Sequence, residues 1–235
     1  MATLFAGTSG FAYPAWKPGF YPEKLPAAKF LEHYAGRLNC VEINYTFRRM
    51  PSASTLATWV AATPPGFLFA IKAHQRITHF QRLRDAEEIT ELFLKTLEPL
   101  RAAQRLGPLL FQLPPNLRLD LERLGAYLRL LPRELRYVFE FRDPSWFTTD
   151  VYALLREHNV ALCVAESEKL ETPEVITADL VYYRLRKPGY GAADIERFAA
   201  RARELLATGR DVYLILKHED DLGGALDAER LLAIV

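Results

Sequence analysis

The chain is poor in the features that mark secreted and membrane proteins. Only 2 of its 235 residues are cysteines, which is too few for the disulfide framework of a small secreted domain. No stretch approaches the roughly 18 apolar residues that span a bilayer, and residues 1–11 lack both the basic start and the apolar run of a signal peptide. These absences predict a soluble, cytoplasmic protein with no membrane partner, in which Cys40 and Cys163 are free thiols buried in strands.

An excess of charge of one sign is also absent. The 30 Lys and Arg residues nearly balance the 29 Asp and Glu residues, which gives a formal net charge of +1. We therefore do not expect the broad basic surface of a general nucleic-acid binder, although a local patch would be compatible with this balance. The sequence contains no GxSxG, Walker or dinucleotide-binding glycine motif, so no redox cofactor is predicted.

Metal-binding motifs are missing as well. The histidines show no spacing such as HExxH, which would place two ligands on one helix face. No metal site is predicted. A divalent cation would bind only if folding brought Glu42, Glu140 and Glu166 together.

What the chain does contain is a regular series of apolar runs rich in β-branched and aromatic residues. There are eight of them: Thr3–Gly7, Asn39–Asn44, Phe67–Lys72, Pro108–Leu113, Tyr137–Arg142, Val160–Ala165, Asp179–Leu185 and Asp211–Lys217. Most are apolar on both faces, as strands of a helix-covered parallel sheet are. They predict an α/β fold, a single TIM-like (β/α)8 barrel over residues 1–235. The crossover between strands 6 and 7 is reduced, because residues 166–178 leave room for little more than a turn at Thr172–Glu174.

An apolar period of 3.6 residues between the runs predicts helices. One of these helices is the longest, and it is expected to begin with a capping box formed by Asp85 and Glu88, to bend near Pro99 and to end at Gly107. The others span Ala27–Leu38, Ser52–Ala62, Leu119–Leu131, Thr149–His158, Ala192–Thr208 and Ala225–Ile234.

Polar side chains cluster where the apolar runs end. In a parallel barrel, the carboxyl ends of the strands and the loops after them form the active face. The residues at these exits are Glu42, Asn44, Lys72, Gln112, Glu140, Arg142, Glu166, Arg184, Arg186, Lys217 and His218. A closed barrel would gather them at one mouth, where they would form either a functional site or a rim of paired structural charges.

Three of these side chains are candidates for acid/base catalysis: Glu140, Glu42 and Lys72. Glu140 is the best single candidate, because it ends a buried strand. Burial would raise the pKa of its carboxyl group, whereas Arg142 and Lys72, if close, would lower it. The first effect would leave an acid/base group near neutral pH, and the second an ionised carboxylate that only orients a cation. Both outcomes remain open on sequence alone.

Further residues are candidates for binding the substrate. The polar ones are Asn44, Gln112, Arg142, Arg184, Lys217 and His218. The cations after strands 5, 7 and 8 would clamp a phosphate or a carboxylate. Three aromatic residues, Tyr13, Trp16 and Trp146, lie in the loops after strands 1 and 5. They would either stack on a sugar or base or plug the barrel as additional core.

Several motifs occur together in an order that is specific to one family. They are Gly7–Gly10 with Tyr13 and Trp16, Phe20–Pro22, Val41–Asn44 with Thr46 and Phe47, Phe69–Lys72, Gly107–Pro108 with Gln112–Pro115, and Glu140–Arg142 with Ser145 and Trp146. In these motifs the chain resembles the YecE-like family, the domain of unknown function numbered 72. The resemblance extends to about Leu185. It implies a TIM-barrel-like fold and no established reaction.

The last quarter of the chain departs from the family pattern. Members commonly carry a histidine and a glycine after the seventh-strand arginine, and an asparagine pair at the end of the eighth strand. This chain has Arg186–Lys187 and Lys217–His218 at those places. Either the ligand of this chain differs, or these positions matter less than the others.

The leading functional hypothesis is an enzyme, a hydrolase or a lyase or isomerase, that acts on a small anionic substrate by acid/base chemistry without a redox cofactor. A second is a nucleic-acid-binding or metal-dependent phosphodiester-cleaving barrel, which the near-neutral charge disfavours. A third is a non-catalytic small-molecule binding protein. The sequence predicts neither the substrate nor the oligomeric state.

Overall fold

Eight parallel strands form a nearly closed barrel with helices around its outside, as the sequence predicts. The computed structural model describes residues 1–166, 170–187, 189–216 and 222–235. The strands are Leu4–Thr8 (β1), Cys40–Ile43 (β2), Leu68–Lys72 (β3), Leu106–Gln112 (β4), Tyr137–Glu140 (β5), Ala161–Glu166 (β6), Leu180–Leu185 (β7) and Asp211–Leu216 (β8). Their order is β1–β8–β7–β6–β5–β4–β3–β2, with every neighbour parallel. All carboxyl ends therefore meet at one mouth.

Between β1 and β2, two side chains replace the backbone ladder. No ladder joins these strands, both of which the structure describes in full. The side chain of Asn39, directly before β2, accepts a hydrogen bond from a β1 N–H group at 3.0 Å and donates one to a β1 carbonyl at 2.7 Å. Nearer the mouth, the Tyr34 hydroxyl accepts from the N–H of Thr8 at 2.8 Å and donates to the carbonyl of Cys40 at 3.0 Å. Side chains thus complete the barrel at this seam.

Gly7 allows the two strands of the seam to approach closely. A Cβ atom at this position would lie 2.0 Å from the carbonyl oxygen of Cys40 and 3.0 Å from the hydroxyl of Tyr34. Any side chain would push β1 away from β2 and break the hydrogen bonds of Tyr34. Glycine is required here by close backbone approach.

The helices cover the barrel from outside. They are Phe30–Ala35 (α1), Ala53–Ala61 (α2), Glu87–Thr96 (α3), Glu98–Ala102 (α4), Leu121–Leu130 (α5), Thr149–Glu157 (α6), Ala192–Ala207 (α7) and Gly223–Ile234 (α8). Short 3₁₀ or π turns span Pro14–Trp16, Ala27–Lys29, Tyr45–Phe47, Arg76–Phe80 and Pro144–Trp146. Side chains of Ser52, Asp120 and Thr148 accept N-terminal N–H groups and cap α2, α5 and α6. Within the described residues, no helix has the length and apolar character needed to cross a membrane.

The longest predicted helix is interrupted near Pro99, where a bend was predicted, and differs from its prediction at two other points. Leu97 separates α3 from α4, because Pro99 has no N–H group to continue the helical bonds. The predicted capping box of Asp85 and Glu88 is wrong, since α3 begins without a side-chain cap and Asp85 has a φ of 48°. Gly107 is not the stop, because it lies within β4.

The reduced crossover between β6 and β7 contains no helix in residues 170–178. The helical turn predicted at Thr172–Glu174 does not form. Instead, Glu171 makes an isolated antiparallel bridge with Glu166. Every other pair of consecutive strands is connected through at least one α-helix. The described residues of this crossover therefore place no helix over the outer face of β6 and β7.

The barrel interior changes from apolar to polar toward the mouth. Phe5, Cys40, Cys163, Tyr182 and Tyr213 belong to an apolar cluster that fills the interior. Both cysteines are fully buried and free, as predicted, and burial raises the pKa of both thiols. Inward positions alternate along each strand, so the next ones toward the mouth lie directly above this cluster. Those positions are occupied by charged and amide side chains.

Candidate functional site

Arg184 lies inside the mouth between two carboxylates. Its Nη1 donates to Oε2 of Glu140 at 2.5 Å, and its Nη2 donates to Oε1 of Glu42 at 2.7 Å. The side chains of Arg184, Glu42 and Glu140 are 1%, 0% and 5% exposed. These three residues, from β7, β2 and β5, form a buried triad in which one cation neutralises one of two negative charges.

Amide and hydroxyl groups complete the hydrogen bonding of the triad. The hydroxyl of Tyr182 donates to Oε2 of Glu42 at 2.9 Å, and Nε2 of Gln112 donates to Oε1 of Glu140 at 2.8 Å. Each carboxylate oxygen therefore has a donor. Asn44 adds a longer bond from Nδ2 to Oε1 of Glu42 at 3.2 Å. The buried Oδ1 of Asn44 has no partner in the described part of the chain.

Lys72 ends β3 directly above the triad. Its Nζ donates to Oε1 of Gln112 at 2.8 Å and lies 4.5 Å from the centre of the Phe47 ring. Burial, assisted by the positive charge of Arg184, lowers the pKa of this ammonium group to about 8, although Glu42 and Glu140 oppose the change. The remaining charge of the triad is thus balanced by a lysine that loses its proton far more easily than a surface lysine.

The charge state of Glu140 follows from its partners. Burial acts to raise its pKa, but the charge and hydrogen bond of Arg184, the hydrogen bond of Gln112 and the charge of Lys72 together outweigh burial, and the pKa is lowered. Arg184 has its pKa held well above its usual value, because the two carboxylates outweigh its desolvation. At neutral pH Glu140 is therefore an ionised carboxylate. This carboxylate orients the guanidinium of Arg184.

A second set of groups surrounds Lys72 at the rim. The His79 ring packs edge-on against Phe47 with centroids 4.8 Å apart. Burial and the positive charges of Lys72, Arg142 and Arg82 lower the pKa of His79. Arg142 itself is exposed. Sequence reasoning missed Phe47 and His79 as site residues, although both lie in the loops directly after β2 and β3.

Two predicted aromatic ligands belong to the core instead. Trp16 is 1% exposed and packs between Tyr21 and Phe20, and Trp146 is fully buried. The Trp146 ring stacks on Phe141 with centroids 4.6 Å apart, and its Nε1 donates to a backbone carbonyl at 2.7 Å. Neither indole offers a face for stacking at the mouth. Of the two alternatives, ligand stacking and core packing, the structure therefore shows core packing for both and corrects their assignment as substrate-binding residues. Tyr13, half-buried, packs against Trp16 at 5.1 Å.

The expected anion clamp is not assembled as the sequence suggested. Arg184 has its guanidinium enclosed by carboxylates, so it presents no open face to an anion. Lys217 and His218 lie outside the described residues. Of the three predicted cations, Arg142 is the one that the structure places at the exposed rim.

Carboxylates that would bind a metal are not gathered in the described residues. Glu42 and Glu140 both bind Arg184, whereas Glu166 accepts hydrogen bonds from Lys187 at 2.8 Å and from Tyr190 at 2.9 Å. Over the described ranges, no group of three or more His, Cys, Asp or Glu side chains is arranged to hold an ion.

The sequence profile described as "Protein of unknown function DUF72" matches residues 5–235. The chain belongs to the DUF72 family. A solved DUF72 family protein from Thermotoga maritima shares the fold with a TM-score of 0.85 and 28% identity, and the alignment covers 98% of each chain. The resemblance noted from the motifs is thereby confirmed.

Two curated relatives of this DUF72 chain are also known by sequence. UPF0759 protein YunF of Bacillus subtilis is 32% identical over 139 residues, 56% of this chain and 49% of that protein. UPF0759 protein YecE of Escherichia coli K12 is 35% identical over 145 residues, 61% of this chain and 50% of that protein. The chain thus matches about half the length of these relatives, whose names state no reaction.

Proposed function

We propose that this DUF72 protein is an enzyme that binds a small phosphate- or carboxylate-bearing substrate at the barrel mouth and uses Lys72 for proton transfer. The observation that carries the proposal is the position of Lys72 above the buried triad, with its pKa lowered to about 8. A general acid or base works best when its pKa lies near the working pH. At pH 7 about a tenth of such lysines are neutral, so Lys72 could both accept and donate a proton.

The charge of the surrounding loops supports an anionic substrate. Residues 44–50, 73–86, 114–119 and 142–147, which follow β2 to β5, contain seven arginines and two aspartates, an excess of five positive charges. A concave surface of one sign concentrates ligands of the opposite sign and accelerates their binding. Burial first, and neighbouring positive charges second, lower the pKa values of Lys72 and His79, and an anion bound beside them would oppose this lowering.

The triad supports proton transfer indirectly. Glu140 remains ionised, so we assign it no proton of its own, and Glu42 is bound on both oxygens. Both carboxylates hold Arg184 in place, and Glu140 also holds Gln112. Gln112 in turn orients the ammonium of Lys72. We therefore propose Lys72 as the catalytic residue and Glu42, Glu140 and Gln112 as positioning residues.

The test uses metabolites and a matched pair of lysine variants. Wild type, Lys72→Met and Lys95→Met would each be incubated with a bacterial metabolite extract, and time-dependent changes would be followed by mass spectrometry. Lys95 is exposed in the last turn of α3, which leads to the amino end of β4 and so away from the mouth, and it serves as the control. Wild type and Lys95→Met should convert the same phosphate- or carboxylate-bearing compound, and Lys72→Met should not. Conversion by Lys72→Met at the wild-type rate would refute the assignment, and binding without conversion would favour a non-catalytic binding protein.

A second candidate function is single-stranded nucleic-acid binding, which one observation favours. Tyr45 and Phe80, in the arginine-rich loops after β2 and β3, are 47% and 70% exposed. Exposed aromatic faces among cations are what base stacking along a phosphate backbone requires. Fluorescence anisotropy with a labelled 20-residue oligo-dT and oligo-U should then give affinities that fall with salt and with Phe80→Ala. Exposed Arg133, which precedes β5 at the opposite end of the barrel, gives a control in Arg133→Ala. This candidate is removed if Phe80→Ala and Arg133→Ala lose the same affinity, or if the wild type binds neither oligonucleotide at low salt.

A further inference from the structure

A cavity of about 490 Å³ lies on the outer face of β6 and β7, against α7. It exists because residues 170–178 form no helix, so the face that a barrel helix would cover is only partly filled. Its apolar walls come from Val164, Leu185 and Phe198. The cavity is separate from the mouth, because Val164 and Leu185 point outward while Arg184 points inward.

Two hydroxyl groups on the cavity wall are buried without a hydrogen-bond partner. Thr172 is 3% exposed and Tyr183 is 5% exposed, and both line the cavity. Their oxygens make no hydrogen bond in the described residues. Burial, the charge of Glu174 and a hydrogen-bonding interaction with Glu174 raise the pKa of the Tyr183 hydroxyl, and Arg201 opposes the change. The hydroxyl therefore lies near both side chains, but its contacts with them do not reach the distance and angle of a hydrogen bond. Buried polar groups are normally paired, so these two hydroxyls lack the partners that a ligand could supply.

Four of the five charged side chains that line the cavity are already in ion pairs within the protein, and the fifth, Glu171, is exposed. The ion pairs are Arg201–Glu174 at 2.5 Å, Arg201–Glu204 at 2.6 Å, Arg197–Asp194 at 3.0 Å and Glu166–Lys187 at 2.8 Å. A charged ligand would have to disrupt one of these pairs or lose its hydration without compensation. A ligand in the cavity could therefore make apolar contacts and hydrogen bonds to the two hydroxyls.

We propose that this cavity is a second binding site, for a neutral molecule of one or two rings that carries a hydrogen-bonding oxygen or nitrogen. The volume lies within the range of about 300–1,000 Å³ that small-molecule sites occupy. Phe198 and Leu185 would contact the ring, and the hydroxyls of Thr172 and Tyr183 would turn toward the cavity to hydrogen-bond the polar atom of the ligand. The site is independent of the function proposed for the barrel mouth.

The first experiment measures binding of 4-methylphenol, indole and toluene by ¹H–¹⁵N NMR titration. 4-Methylphenol and indole should shift the amide signals of residues 164–166, 171, 172, 174, 183–185 and 197–201, and toluene should bind more weakly. Tyr183→Phe and Thr172→Val should each weaken 4-methylphenol binding about tenfold, as loss of one hydrogen bond predicts, and should leave toluene binding unchanged. Tyr137→Phe is the control, because the Tyr137 hydroxyl already donates to a carbonyl at 3.0 Å outside the cavity; its affinity for 4-methylphenol should equal that of wild type.

The second measurement is the melting temperature of the unliganded variants. Removing an unpaired buried hydroxyl without changing side-chain shape should keep or raise the melting temperature, so Tyr183→Phe and Thr172→Val should be at least as stable as wild type. Tyr137→Phe should melt lower. The proposal is overturned if no probe shifts the cavity signals, or if Tyr183→Phe and Thr172→Val bind 4-methylphenol as well as wild type. It is equally overturned if both variants melt well below wild type, because the hydroxyls then have partners within the protein.

Discussion

Removing the cation of the triad is the most informative perturbation of the barrel interior. Arg184→Met keeps a side chain of similar length and removes both charge-assisted hydrogen bonds. Glu42 and Glu140 would then face each other in a site that is at most 5% exposed. Breaking a buried ion pair from one side typically costs roughly 3–5 kcal/mol, because the remaining charge is left uncompensated. For a chain of this size that corresponds to a loss of about 6–20 °C in melting temperature.

The loss should depend on pH in a defined direction. In the wild type, the pKa of Glu140 is lowered on folding, so its stabilising contribution is present above the unfolded pKa and is lost as the pH falls. In Arg184→Met, burial without the cation should raise that pKa above its unfolded value. The variant is then penalised as the pH rises through the raised pKa, and it recovers when the carboxyl group is protonated. The difference between wild type and variant should therefore be largest at pH 7–8 and smallest near pH 4.

Circular dichroism melts and urea unfolding at several pH values between 4 and 8 would measure this difference. Replacing the carboxylates as well, in Arg184→Met/Glu42→Gln/Glu140→Gln, should restore much of the stability, because the three positions of the triad then carry no charge. Arg133→Met, at an exposed arginine, is the matched control and should change the melting temperature little. The reasoning is refuted if Arg184→Met melts within 2 °C of wild type at pH 7.5, or if its deficit grows as the pH falls toward 4.

Three further predictions follow from the fold and the site. Tyr34→Phe should lower the free energy of unfolding by about 1–3 kcal/mol in urea titrations, because the Thr8 N–H and the Cys40 carbonyl lose their shared partner; a change below 0.5 kcal/mol would show that the seam does not need it. Glu140→Gln should have a lower melting temperature than wild type at pH 7.5, but the loss should be smaller than in Arg184→Met, since Arg184 keeps its ion pair with Glu42. This loss of melting temperature should fade below about pH 4; a loss as large as that of Arg184→Met would contradict the prediction. Cys40 and Cys163 should not react with a thiol reagent in the native protein and should both react in 8 M urea, because they are fully buried and their pKa values are raised; rapid native labelling of both would contradict the barrel interior.

The strands and their exits could be predicted because a local signal specifies them. Continuous β-branched and aromatic runs indicate buried parallel strands, and the change to charged residues at their ends indicates the mouth. All eight strands begin and end within two residues of the predicted positions. Glu42, Lys72, Gln112, Glu140 and Arg184 meet for this reason.

Which of these residues pair could not be predicted, because pairing depends on closure of the barrel. Arg184 and Glu42 are separated by 142 residues along the chain. From sequence, Arg142 was the natural partner of Glu140, two residues away on the same face. In the structure β5 ends at Glu140, so Arg142 follows the turn to the rim and Arg184 takes the buried position.

The aromatic residues illustrate a different limit. A tryptophan in a long loop is compatible with ligand stacking and with core packing, and only the path of the loop decides between them. The loops that carry Trp16 and Trp146 fold back onto the barrel, so both rings are buried. The seam at β1 and β2 could not be predicted for a related reason, since a missing ladder leaves no motif. The short crossover between β6 and β7 was predicted from its length, but the cavity beside it was not.

The pKa of Lys72 is the measurement that tests the proposed function most directly. Lysine side chains can be labelled by reductive ¹³C-methylation and titrated by NMR, with the Lys72 signal assigned from Lys72→Met. We predict that Lys72 titrates near pH 8 and that added phosphate raises its pKa, because a bound anion stabilises the charged form. Titration together with the surface lysines near pH 10.4, without a response to phosphate, would contradict the account.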